Sequence, residues 1–474
     1  MQGNKLELKI TKLKSKNKSY QKERDFLKRK LRDVETSREK WREKSLALGQ
    51  ENQLLTKELS NFKGDSIFSL KEKVKHHSYP VFIIVLCLSL RQVSGLGFRK
   101  CSEVVSLFYN LLGLNLSVPC AKTISNWVEK YGYFELEKTE NQGKPQVLIV
   151  DESVNVGQKK ALLLQSVTLA NYKFGNSLTH QDTDLFGLGI GKSWKGVEIS
   201  KIIEASPLKS DIVYCVCDGA SNLAKALEIS EIERVYDITH ALGKLIKKRY
   251  AKNESFVAFS KATTLFKQKV VLGKGAILMP PVQRPKARFL NIDSLVKWAK
   301  KMLLLLKTDF LTQEQKQQLQ WLLAYQHLIM EMAEINQLVL AIFKIVKPEG
   351  LSKLTQTRCV NLLTESKAPQ QFKEAVKEYL FSYEDLIKKH TTIICCSDVI
   401  ESTFGKFKNR IAANKMNAIT GAALEMGTYG IQFDPQQVKK VMETIPLKQV
   451  KEWKDKNQAD NLAQNRRVLM KKVG

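Results

Sequence analysis

Acidic side chains are in short supply: 48 Asp plus Glu stand against 77 Lys plus Arg, a formal charge of +29 over 474 residues. Long apolar runs are missing as well. The longest, Val81 to Leu90, covers ten residues, about half of what roughly 30 Å of hydrocarbon requires. It also stands away from the N-terminus, where a secretory signal would sit. Neither a spanning helix nor a leader is expected. Without a hydrophobic insertion device, the excess charge is directed at a nucleic acid rather than at an acidic lipid surface. The eight cysteines lack paired metal spacing; Cys215-Val216-Cys217 and Cys395-Cys396 are too tight for a zinc ribbon, so reduced thiols in apolar surroundings are expected. What is present, 43% apolar and 26% charged residues, is ample for folded cores, and the length suits about three domains of roughly 150 residues. A disordered tail, a collagen and a mini-protein are excluded. A cytoplasmic protein is expected, nucleoid-associated if its source is bacterial.

The charge is unevenly spread. Residues 1–80 hold 21 cations against 11 anions, a net of +10, whereas 144–240 hold 10 against 12, a net of −2. Residues 241–301 then hold 15 cations against only Glu254 and Asp293, a net of +13. An acidic stretch lies between basic neighbours.

Leu6, Leu13, Tyr20, Leu27, Val34, Trp41, Leu48 and Leu55 recur every seven residues with no intervening proline. This is one seam of a coiled coil over residues 1–63, closed by Gly64 and a linker to residue 80. The second seam, which includes Asn17, Arg24, Arg38 and Asn52, is only partly apolar. Asn17 and Asn52 would set register and strand number in a homodimer or higher oligomer, and a single solvated helix is the alternative.

Residues 81–143 read as helical. After a turn at Ser117-Val118-Pro119-Cys120, Ala121 to Tyr131 places Ile124, Trp127 and Val128 on one face. Lys122, Thr123, Ser125, Asn126 and Lys130 fall on the other. A short turn before a helix with small polar and basic residues at its start suits a helix-turn-helix DNA reader, with Lys122 and Asn126 as contacts. An ordinary helical hairpin has the same pattern.

From Lys144 the period changes to two. Gln146 to Asp151 is a buried strand ending in a carboxylate, Ala161 to Asn171 a second strand, and Asp211 to Gly219 a third that again delivers an Asp, Asp218, before a Gly and a helix. Arg234 to Thr239 makes a further short strand; helices at Val197 to Ala205 and Ser221 to Leu227 intervene, so the layer is α/β with partly parallel strands. Strand carboxyl ends line the functional crevice of such sheets. Asp151 and Asp218 are therefore placed to share a divalent metal, the bland alternative for each being a turn or helix-cap Asp. A third carboxylate, Glu401, falls in the first turn of a helix that starts at Ser397 or Asp398, with Ile400, Phe404 and Phe407 on its packed face and Lys408 on a basic flank.

The order strand-Asp151, strand-Asp218-Gly219, long helical insertion, helix-Glu401 resembles the RNase H-like catalytic domain of DDE transposases. Asp237-Ile238-Thr239-His240 resembles the (C/D)xxH signature of those with a large helical insertion, including the hAT-like group, and Ser397-x-x-x-Glu401-x-x-Phe404 resembles their segment around the catalytic Glu. The coiled coil and helix-turn-helix resemble bacterial insertion-sequence transposases. The resemblance covers about 144–415. It implies an RNase H-like core in two parts, 144–240 and 391–430, interrupted by an all-helical insertion over 241–390 and followed by a basic helical tail over 431–474. It implies that Asp151 bridges two Mg²⁺ (or Mn²⁺) ions while Asp218 and Glu401 each bind one, and that His240 contacts DNA near the cut; a plain structural His is the alternative.

The insertion contains helical runs at Leu295 to Leu306, Gln315 to Met332 and Ile335 to Val346. Its basic half includes Lys247, Lys248, Arg249, Arg284, Arg288, Lys297, Lys300 and Lys301. A cationic wall beside carboxylates suits double-stranded DNA, here the transposon ends and target, whose phosphates must reach bound metals; a merely solvated helix is the alternative. In similar transposases an insertion Trp stacks on a flipped base, a role for which Trp298 is the candidate and Trp321 its competitor, with core packing open to either. The expected activity is metal-dependent strand cleavage and strand transfer. An RNase H-fold nuclease or resolvase, and a catalytically inactive transposase-derived regulator, are the other readings.

Overall fold

The computed structural model describes residues 73–152, 160–283, 289, 292–410, 421–457 and 462–472, together with a discontinuous part of 21–53. Two compact units are distinguished, 1–72 and 73–474. In the first, residues 33–46 are helical and place Val34 and Trp41 in solvent; most of the heptad seam lies outside the described residues. Among the described residues no helix is long and apolar enough to cross a membrane.

The second unit opens with helices α1 (Val81–Val93), α2 (Phe98–Leu111) and α3 (Ala121–Leu136). The strands β1 (Gln146–Glu152), β2 (Lys160–Thr168) and β3 (Asp184–Gly191) follow, then α4 (Gly196–Glu204), β4 (Ile212–Cys217), α5 (Ser221–Ile229) and β5 (Arg234–Tyr236). These five strands form one mixed sheet in the order β3-β2-β1-β4-β5. β1, β2 and β3 pair antiparallel, whereas β4 runs parallel to β1 and β5 parallel to β4.

The central strands are buried on both faces, which explains their unbroken apolar sequences. Alternation then sorts each side chain. Leu148, Val150, Cys215 and Cys217 pack on the face covered by α4 and α5. Val147, Ile149, Tyr214 and Val216 pack on the opposite face, in the large core shared with the later helices. Strand β3 was invisible to period-two reading because Gly187, Gly189 and Gly191 occupy its alternate positions. The packing explains them: a Cβ on Gly189 would stand 2.4 Å from the Trp194 ring, so the indole and Ile202 fill the space that side chains would need.

After β5 come α6 (Ile238–Tyr250), α7 (Glu254–Val270), α8 (Ile292–Leu306), α9 (Gln313–Leu319) and α10 (Gln326–Glu349). A two-stranded ladder of β6 (Leu351–Ser352) with β7 (Thr392–Ile393) brackets α11 (Lys353–Glu365), α12 (Gln370–Phe381) and α13 (Glu384–His390). The chain then returns to the sheet as α14 (Asp398–Arg410), and ends in α15 (Pro435–Thr444), α16 (Leu447–Asn457) and α17 (Leu462–Met470). The two helical runs expected around Met332 and Ile335 are joined in α10, and the expected run from Gln315 is broken by a 3-10 turn over Gln320–Tyr325.

α3 is enclosed along most of its length. Trp127, Val128, Glu129, Lys130, Tyr131, Gly132 and Glu135 are buried, and Gly132 lies so close to the turn Gly421–Thr428 that a Cβ would meet the Leu424 carbonyl. Lys130, expected on the polar face, is 4% exposed and donates to the Met442 carbonyl at 2.5 Å; burial lowers its pKa to about 8. The correction has a tertiary cause: α15 covers that face, adding Val438, Val441 and Met442 to the helical core. Lys122 remains exposed and Asn126 half-buried at the open end of α3.

A buried ion network ties this helical group to α14. Glu425, 2% exposed, meets Arg91 of α1 at 2.7 Å and Arg410, the last residue of α14, at 2.6 Å. Arg410 also donates to the Gln92 side chain and carbonyl. Removing the central carboxylate leaves two guanidinium groups facing each other in a dry site. Glu425→Ala is therefore expected to destabilise the protein by about 3–5 kcal/mol, the usual effect of breaking a buried ion pair from one side, read as a lowered midpoint of denaturant unfolding; an unchanged midpoint would show that the network is dispensable.

Candidate active site

Alternation continues past the last apolar residue of each central strand. Val150 pairs with Cys217 across the parallel ladder, so Asp151 and Asp218, the next residues, emerge side by side at the carboxyl ends of β1 and β4. By period two they continue the face of Ile149 and Val216, whereas Glu152 continues the face of α4 and α5. α14 packs on the first of these faces through Val399, Ile400, Phe404 and Phe407. Glu401, one turn inside α14, therefore arrives on the side where the two Asp residues stand.

The electrostatics agree with this placement. Burial and the neighbouring Asp218, with Glu401 adding, raise the Asp151 carboxyl to about 7; the Glu152 N–H, which donates to Asp151 Oδ1 at 2.7 Å, only partly opposes this. Asp218 accepts from the Ala220 N–H at 2.9 Å. His240 Nε2 lies 3.1 Å from Glu401 Oε1, and that hydrogen bond, with Asp237, Glu401 and Asp218 around it, raises the imidazole to about 9. The structure thus couples Asp151 to Asp218 and Glu401 through their charges and joins His240 to Glu401 by a hydrogen bond, while the ligand atoms of the three carboxylates do not all lie within 4.8 Å of one another.

Neighbouring carboxylates have other duties. Glu152 is held by Lys160 at 3.0 Å and by the Asn222 amide. Asp237 is fully buried and caps α6: Oδ1 accepts from the His240 N–H at 2.8 Å, and Oδ2 accepts from the Ser397 N–H at 2.6 Å and the Ser397 hydroxyl at 3.0 Å. Asp398 is paired with Lys347 of α10 and accepts from Thr239. Asp237, Cys396 and Asp398 do bring one ligand atom each within 4.8 Å of the others. Hydrogen bonds and the Lys347 ammonium already occupy the two carboxylates, and burial holds the Cys396 thiol protonated, so this group reads as a structural clamp.

The other sequence-derived residues fall in varied settings. Lys247 and Lys248 are exposed on α6, and Lys408 is exposed on α14 with its Nζ 5.8 Å from the Phe404 ring centre. Arg249 is a packing residue: its Nε donates to Glu331 of α10 at 2.9 Å, and Glu331 also accepts from Tyr250. Trp298 is likewise engaged in packing, against Phe266 and with its N–H donated to the Leu278 carbonyl at 3.1 Å. Trp321 stacks among Phe259, Phe266 and Tyr325. Arg284 and Arg288 lie outside the described residues.

His180 was not singled out in the sequence. Its ring reaches Thr403 at 3.2 Å and Ser402 at 3.3 Å, the two residues that follow Glu401. Burial, with Lys406 and Arg410 adding, lowers it to about 4 and keeps it neutral. It steadies the helix that presents Glu401. A lone His in a loop carries no local signal for this, since its partners are more than 200 positions away. Of the eight thiols, all free, seven are buried and Cys120 is exposed before α3.

No protein-family model matches the chain, and none of the curated proteins matches it. Among solved structures the chain is similar to the Drosophila P element transposase strand transfer complex, at 11% identity and a TM-score of 0.41, over 83% of this chain and 98% of that one.

The raised Asp151 sets a pH dependence. A carboxyl whose folded pKa lies above its unfolded value costs stability as pH rises through the interval between the two, here from about 4 to about 7. Asp151→Asn removes that cost. In metal-free protein the variant is expected to melt higher than the parent, with a small gain at pH 4 that grows to a plateau above pH 7. Melting curves at several pH values test this, and a gain that does not grow with pH would contradict the acidic cluster.

Proposed function

We infer that this chain is a DDE-type transposase: a metal-dependent enzyme that cuts DNA at its element's ends and joins the new ends to target DNA. One observation carries the reading: Asp151 and Asp218 stand side by side at the carboxyl ends of two adjacent parallel strands, and the charge of Glu401 on α14 acts on Asp151. The sheet order, an antiparallel β3-β2-β1 set continued by parallel β4 and β5, supports an RNase H-like core. The helices from α7 to α13, inserted between the His240 helix and the Glu401 helix, match the expected position of a large insertion.

The residues fit divalent metal. Three carboxylates supply hard oxygen donors, and their mutual repulsion, expressed in the raised Asp151, is what a multivalent cation offsets. Asp151, on which both Asp218 and Glu401 act, would be shared, with Asp218 and Glu401 each completing one side. Two Mg²⁺ or Mn²⁺ ions supply Lewis acidity at the phosphate under attack and at the leaving oxygen. The protein supplies the rest. Rigid strand ends hold Asp151 and Asp218, α14 sets Glu401, and His240, cationic below pH 9, holds the Glu401 carboxylate and offers positive charge to a phosphate beside it. Glu152, turned to the opposite face and held by Lys160, is not a competitor for this role. Exposed Lys247, Lys248 and Lys408, with Lys122 and Asn126 at the open end of α3, are the proposed DNA contacts. Self-association through the N-terminal heptads would bring two ends together.

Replacing Asp151, Asp218 or Glu401 singly with Ala is expected to lower cleavage of end-containing DNA by roughly a thousandfold or more, about 4 kcal/mol of barrier, while retention on the same DNA in a gel-shift assay is kept. Full cleavage by all three variants would refute the assignment. New joints between a 3′-hydroxyl end and target DNA separate a transposase from a simple nuclease or resolvase.

A further inference from the structure

A cleft of about 900 Å³ runs between α8 and α10. Four lysines line it in two pairs, Lys297 with Lys300 on α8 and Lys344 with Lys347 on α10. Each pair is spaced i,i+3, so its members share a helix face about one turn apart. The floor is apolar, formed by Val296, Leu340 and the Phe343 ring, over which Lys347 Nζ stands at 4.6 Å. The two walls are fixed to each other: Asn336 of α10 donates to Asp293 of α8 at 2.8 Å.

The cations are not equivalent. Lys297 is paired with Asp293 at 2.9 Å, and Lys347 with Asp398. Lys300 and Lys344 have no carboxylate partner among the described residues. Two uncompensated ammonium groups facing one cleft repel each other and favour a polyanion between them. The Lys347 end of the cleft abuts the first residue of α14, one turn before Glu401. The Lys347 end of the cleft thus lies at the start of the helix that carries Glu401.

We propose that this cleft holds the sugar-phosphate backbone of one DNA strand and feeds it toward Asp151, Asp218 and Glu401. The proposal rests on the DNA-cleaving function inferred above and adds the path by which substrate reaches that site. Lys300 on one wall and Lys344 on the other are the two cations set to meet phosphates of that strand. The apolar floor suits the C–H surfaces of the sugar rings, which need no hydrogen bonds.

The test uses the full chain with Lys300→Ala and Lys344→Ala combined, binding a fluorescein-labelled DNA duplex followed by anisotropy over a range of salt. Loss of two phosphate contacts lowers the slope of log affinity against log salt by about two. Affinity at moderate salt is expected to fall by roughly tenfold, and the combined Lys300→Arg and Lys344→Arg variant is expected to keep both slope and affinity. A wild-type slope and affinity in the double Ala variant would overturn the cleft proposal. If parent protein cleaves DNA and Asp151→Ala does not, that result leaves the enzymatic assignment standing. If the parent neither binds nor cleaves DNA, the enzymatic assignment fails and the cleft proposal with it.

Discussion

The arrangement of this molecule depends on one buried carboxylate. Asp237 has no exposed surface, and each of its polar groups is spent on a different piece of the chain. Its N–H donates to the Cys217 carbonyl, immediately before Asp218. Its side chain accepts from the backbone of His240 and from Ser397, three residues before α14 reaches Ile400 and four before Glu401. The next residue, Ile238, donates to the Cys395 carbonyl. Hydrogen bonds to a charged or strongly polarised acceptor contribute about 1.5–3 kcal/mol each. Leaving such a group buried without them would be prohibitive. The carboxylate therefore has one low-energy setting, and in that setting the strand that delivers Asp218, the helix that carries His240 and the helix that carries Glu401 are held in one geometry.

A division of labour among acidic residues follows. Asp237, Asp398, Glu152 and Glu425 are each matched to a donor or a cation, and each joins segments distant in sequence. Asp151 and Asp218 instead stand side by side at the strand ends, where burial and the charges of Asp218 and Glu401 raise the Asp151 carboxyl while His240 meets Glu401. A rigid frame is required for that. The sheet supplies it on one side, the Asp237 junction on another, and the Arg91-Glu425-Arg410 network at the far end of α14.

Much of this was legible in the chain itself. Apolar runs ending in Asp151 and Asp218 are local patterns, and alternation alone places both carboxylates on the same face once the strands are known to be neighbours. The helix carrying Glu401 was likewise readable from helix-start chemistry, whereas the strand expected over Arg234 to Thr239 ends at Tyr236 and Asp237 caps a helix instead. The less legible features all involve contact between distant segments. β3 was hidden by three glycines whose reason is the Trp194 indole. Lys130, on the polar face of its helix, is covered by α15, and Arg249, in a basic run, is held by Glu331. The support His180 gives to α14 has no local trace.

The sequence by itself determined which residue types stand at strand ends and helix starts, because period and capping are properties of a few consecutive residues. It also determined that the charge is segregated, acidic at the sheet and basic beyond it. Only the tertiary structure decided which acids and which cations are matched to partners. That choice depends on partners brought within a few ångströms by folding: α14 crosses more than 150 residues of intervening chain to set Glu401 against His240, and α8 meets α10 to turn two ordinary basic helices into a lysine-lined cleft.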